Sequence, residues 1–123
     1  MSLTSNVFTG SIIEELGKIN DELLKLDTEV TNHKKQLVEY KLEVAKLENQ
    51  YKVEVAFDTT LTNERQRDAA LLSLKRQSEP LMNYTSRLIP ELEEKLSNCE
   101  NTRSFKYRQY QILMAYINAN GES

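Results

Sequence analysis

The sequence predicts an all-α protein: a long antiparallel helical hairpin, coiled-coil in character, with a short helix near its tip and an oligomeric end. Three observations carry this. From Ile12 to Tyr51 an apolar residue recurs in alternating steps of three and four, through Ile12, Leu16, Ile19, Leu23, Leu26, Val30, His33, Leu37, Tyr40, Val44, Leu47 and Tyr51, with His33 the one interruption. Such a seven-residue repeat keeps a narrow stripe on one helix face, and only a partner helix can bury it. The 123 residues contain three glycines, two prolines and no tryptophan, too little turn chemistry for a sheet. Charged residues make up 28% and apolar ones 39%, the balance of elongated helices that bury a stripe and solvate the rest.

Residues 1–10 are expected to form a disordered or frayed N-terminus, and 11–120 a single helical-hairpin domain. Ser11, with Glu14 three residues on, supplies a capping box where the apolar repeat begins. The first helix should then run to about Phe57. Asp58-Thr59-Thr60-Leu61-Thr62-Asn63 clusters turn formers at the hairpin tip, and Asn63 with Gln66 offers a second capping pair. A short helix from about Glu64 to Gln77 carries Ala69, Leu72 and the neighbouring Leu71 and Leu74. Ser78-Glu79-Pro80 ends it and caps the next, since proline fits a first helical turn but not an interior.

The last helix should reach about Ala119 and stop near Asn120-Gly121. Its stripe reads Leu81, Tyr84, Leu88, Leu92, Leu96, Cys99, Arg103, Lys106, Tyr110, Leu113 and Ile117. The consecutive four-residue steps from Tyr84 to Leu96, with Pro90 among them, predict a kink or local unwinding. Folding this helix back along the first is favoured over a parallel pair of first helices. In that pair Glu22 would face Asp27 and Glu43 would face Glu48, against one attractive pair, Glu29 with Lys34. The two chain ends, which the hairpin brings together, are apolar on more than one side. Phe8, Ile13, Ile112, Met114 and Tyr116 are the candidate oligomer contacts, most simply in a two-fold dimer.

The composition argues against several functions. A net charge of −3 provides no overall attraction to nucleic acid or anionic membrane. No long uncharged apolar run marks a membrane span or a secretory segment, and one cysteine, Cys99, gives no intramolecular disulfide, so a soluble cytoplasmic protein is expected. His33 is the sole histidine, with no second His or Cys at ligand spacing and no Gly-rich loop nearby. No catalytic residues, metal or cofactor and no small-molecule substrate are therefore assigned, and the chain is read as non-enzymatic. His33 reads as a polar seam residue that fixes register at some cost in stability.

One stretch has functional texture. Arg103-Ser104-Phe105-Lys106-Tyr107-Arg108-Gln109-Tyr110 interleaves three cations with three aromatics. Arg103, Phe105, Lys106, Tyr107, Arg108 and Tyr110 are candidate nucleic-acid contacts, with cations on phosphates and rings on unstacked bases. Because Arg103, Lys106, Tyr107 and Tyr110 share a helix face that continues the stripe, packing with snorkelling cations accounts for the same letters, and the register favours it.

Thr62-Asn63-Glu64-Arg65-Gln66-Arg67-Asp68-Ala69-Ala70, followed by Ser78-Glu79-Pro80 and a long helix with an aromatic and basic turn, resembles small helical-hairpin proteins encoded by phages and prophages. Asn63, Glu64 and Arg67 match the tip of that class and Glu79-Pro80 its break, over a layout covering about residues 30 to 110. The resemblance implies an accessory role in DNA recombination or replication, with single-stranded DNA as a partner; the acidic balance departs from that expectation. The alternative is a structural or adaptor module whose ligand is protein. A prefoldin-like holdase ranks third, because its base needs strands where Asp58 to Gln77 is rich in Ala, Leu, Arg and Gln.

Overall fold

The computed structural model describes the backbone of residues 3–121 and the side chains of residues 10–119. Every regular element among them is helical: α1 (Leu3–Ala56), α2 (Glu64–Gln77), α3 (Glu79–Asn83), a π-helical turn (Tyr84–Leu88) and α4 (Ile89–Gly121). The chain divides into two compact units, one of residues 1–32 with 96–123, the other of residues 33–95.

Helix α1 has 54 residues, about 81 Å at 1.5 Å per residue. It starts at Leu3, so Ser11 lies inside it and caps nothing. The reason is local: Thr4 to Gly10 contains no proline, and a single glycine costs a helix only about 1 kcal/mol.

In the first unit α1 and α4 pack antiparallel, as Asp27 meets Arg103 while Glu22 meets Lys106. Ile12, Leu16, Ile19 and Val30 are buried and Leu23 and Leu26 half-buried, which is the apolar stripe as read from the sequence. Opposite them Leu96, Cys99, Lys106, Tyr110, Leu113 and Ile117 are half-buried, while Arg103 remains exposed.

The second unit is also antiparallel, since Tyr40 packs its ring against Tyr84 at 5.6 Å and Tyr51 hydrogen-bonds Ser78. His33, Leu37, Tyr40, Val44, Leu47 and Tyr51 are half-buried, and Val55 extends the stripe one step further into a buried position. At the tip Asp58 accepts hydrogen bonds from the Thr60 backbone N–H at 2.9 Å and from its hydroxyl at 2.6 Å. The hydroxyl first and the N–H second hold the Asp58 carboxyl below its ordinary range.

Helix α2 occupies the expected Glu64–Gln77. Asn63 caps it by accepting the Gln66 N–H at 2.8 Å, while the Gln66 side chain reaches back to the Thr62 N–H, one residue earlier than in a reciprocal capping box. Its inward face is Ala70, Leu71 and Leu74; Ala69 and Leu72, expected on the stripe, are exposed. Ser78 is buried and closes one helix while opening the next. Its N–H donates to the Leu74 carbonyl, and its hydroxyl accepts from the Leu81 N–H and from the Tyr51 hydroxyl.

The irregular stripe is resolved by the π-helical turn. A π turn takes in one extra residue, so Leu88 and Leu92 stay on the same side as Leu81 and Tyr84 despite their four-residue steps. The same widening, closed by the Ile89 N–H on the Tyr84 carbonyl, accommodates Pro90 just beyond it, and the chain stays helical from Glu79 to Gly121.

Candidate functional site

The residues singled out for function all lie in the first unit, where α4 carries them in two groups. Arg103, Lys106 and Tyr110 follow the stripe, at steps of three and four. Arg103 Nε stands 2.7 Å from Asp27 Oδ1, and Lys106 Nζ stands 2.7 Å from Glu22 Oε2. Lys106 is only 29% exposed: its stem covers apolar surface while its ammonium reaches the edge. Both pairs are open to solvent, so each is worth about 0–1 kcal/mol and acts mainly to set register. Phe105, Tyr107 and Arg108 are the second group, and all three are exposed.

The ion pairs also define two flanks. Arg103 leans to the side of Asp27, where Glu100, Arg103, Ser104 and Tyr107 line a shallow groove. On α1 the residues in line with Asp27, at steps of three and four, are Ile13, Gly17, Asn20 and Leu24; on α4 they are Ser104, Tyr107, Gln111 and Met114. Lys106 and Cys99 reach the other side. There Glu15, Lys18, Glu22, Lys25 and Glu29 form a row of alternating charge on α1, and Phe105, Gln109, Ile112 and Tyr116 form a row on α4.

Cys99 donates from Sγ to Glu29 Oε2 at 3.5 Å. Desolvation beside the stripe pushes its thiol up, and the hydrogen bond and negative charge of Glu29 act in the same direction, which favours the thiol over the thiolate.

The candidate oligomer contacts are thereby divided. Ile13 and Met114 belong to the Asp27 flank, Ile112 and Tyr116 to the Glu22 flank, and Phe8 lies outside the residues whose side chains are described. Ile13, Phe105 and Ile112 are more than half exposed, at 57%, 59% and 68%. Leu24, which the sequence already places off the first seam at the apolar chain end, belongs to the Asp27 flank as well. It is 59% exposed and follows Gly10 and Gly17 at seven-residue steps.

Among the described residues no group of three or more His, Cys, Asp or Glu is placed to hold a metal ion, and no helix is long and apolar enough to cross a membrane. No protein-family model matches the chain, and no curated protein or solved structure matches it either.

Proposed function

We propose that the chain is a non-enzymatic coiled-coil adaptor whose Glu22 flank receives an amphipathic helix of another protein. The observation that carries this is the row Phe105, Ile112 and Tyr116 on α4, large side chains left exposed at helical spacing. An exposed i, i+7, i+11 row is the form in which a helix reads its partner's apolar anchors. On α1 the same flank alternates in charge, Glu15, Lys18, Glu22, Lys25 and Glu29, and so gives a partner helix of mixed charge polar contacts at its rim. Crosslinking in the native host should recover one stoichiometric protein, and Ile112→Glu should lose it with helicity and melting temperature unchanged. Recovery by the variant equal to that of the original chain would overturn the reading.

A second reading, contact with single-stranded DNA as a phage-type accessory in recombination or replication, is favoured by the outward placement of Phe105, Tyr107 and Arg108. Arg103 and Lys106 already hold carboxylates, so Arg108 is the cation whose exchange reports on DNA without disturbing the fold. Fluorescence anisotropy of a labelled single-stranded oligonucleotide should show binding that weakens with salt, and Arg108→Glu should reduce the salt slope by about one. No binding at low salt removes this reading. The prefoldin-like alternative loses support because Asp58 to Gln77 forms a turn and α2, where a prefoldin base requires strands.

A further inference from the structure

We infer that the Asp27 flank of the first unit is a self-association face, on which a second copy of this chain docks about a two-fold axis running along the helices. This surface is opposite the one proposed for the protein partner and does not depend on that reading. From Gly10 to Leu24 on α1 the line of residues is Gly10, Ile13, Gly17, Asn20 and Leu24, and on α4 it is Ser104, Tyr107, Gln111 and Met114. Between these limits neither line carries a charge; Asp27 on α1 and Glu100 on α4 close them at the end facing the hairpin's middle. Ile13, Leu24 and Tyr107 are 57%, 59% and 54% exposed. A Cβ built on Gly10 or Gly17 would meet nothing within 4 Å, so the surface is low and open to a close-packed helix.

Charge at the rim decides both the occupant and its orientation. The outer edge of this flank carries Glu14 and Asp21 on α1 and Arg108 on α4. The pairs Asp27–Arg103 and Glu22–Lys106 fix the heights of the two helices, and by that register Asp21 stands level with Arg108. A two-fold axis along the helices preserves height and sets α1 of each copy across from α4 of the other. Each Asp21 then meets the other copy's Arg108, and the surface is its own complement. An axis across the helices would instead set α1 against α1, bringing the acidic edges Glu14 and Asp21 together. Among the described residues neither Asp21 nor Arg108 enters an ion pair within the chain. The face is about 20 Å wide and about 15–21 Å long. That gives about 300–400 Å² per copy, below the range of stable interfaces, so the dimer is weak and reversible and forms only at high protein concentration.

Sedimentation equilibrium of the full chain over a concentration series is the test, with circular dichroism to verify the fold of each variant. The expected result is a monomer–dimer equilibrium that Leu24→Glu abolishes. Asp21→Arg and Arg108→Asp should each weaken it about tenfold, because each exchange replaces two attractive rim pairs by two repulsive ones. The double exchange should return it to within about twofold of the original. A monomer at all concentrations overturns the proposal. So does a dimer indifferent to the single exchanges, or one that the double exchange fails to rescue.

Discussion

Ile19→Ala should lower the free energy of unfolding by about 2–4 kcal/mol, read by denaturant titration at fixed protein concentration. Ile19 is 3% exposed, the most deeply buried of the core side chains, and truncation removes its transfer free energy and leaves a cavity between two helices that cannot close freely. Leu92→Ala, from a leucine 5% exposed in the second unit, should cost a similar amount. Val38→Ala serves as the control: that valine is 66% exposed and its loss should change stability by no more than about 0.5 kcal/mol. The contrast is a direct check of register. If the stripe were rotated by one residue, Val38 would take the place of Leu37 and the control would become costly.

Ser78→Ala should cost about 2–3 kcal/mol, a large effect for the loss of one oxygen atom. The Ser78 hydroxyl caps α3 by accepting the Leu81 N–H, and the loss of a cap costs about 1 kcal/mol. It also accepts the Tyr51 hydroxyl, which would be left unpaired in a part-buried place, at about 1–2 kcal/mol more. Tyr51→Phe should cost less, about 1 kcal/mol, because the cap survives. A double-mutant cycle on the two positions should give a coupling of about 0.5–1.5 kcal/mol, and additivity would show that the hydrogen bond contributes nothing.

Much of the fold was legible because helical periodicity is a local property. The steps from Ile12 to Tyr51 placed every stripe residue of α1 correctly, buried or half-buried, and Asn63 and Gln66 announced the start of α2. The misreadings have physical causes. Ser11 has the letters of a cap, but capping preferences of about 1 kcal/mol do not stop a helix that meets no proline. Helix α2 is 14 residues with no fully buried side chain, so its weak stripe could be read with either Ala69 and Leu72 or Ala70 and Leu74 facing inward. The Tyr84-to-Leu96 steps announced a disturbance; whether it would be a kink, a break or a π turn depended on how backbone carbonyls could rearrange around Pro90.

The candidate site divides along the same line. That Arg103, Lys106 and Tyr110 share a face follows from spacing alone, and so does the exposure of Arg108. Which acids the two stripe cations would meet depends on the relative height of two helices more than seventy residues apart in the chain, a quantity that no local pattern encodes. The sequence by itself determined that this is a helical protein with one long apolar stripe that a partner helix must bury, and the charges flanking the stripe favour the return helix over a second copy of α1 in that place. Only the tertiary structure decided that Arg103 and Lys106 spend their charge on Asp27 and Glu22, and that Ile13 and Leu24 lie on one flank while Phe105 and Ile112 lie on the other. Those facts arise from packing between helices, where the offset of one surface against the other selects among pairings that are locally equivalent.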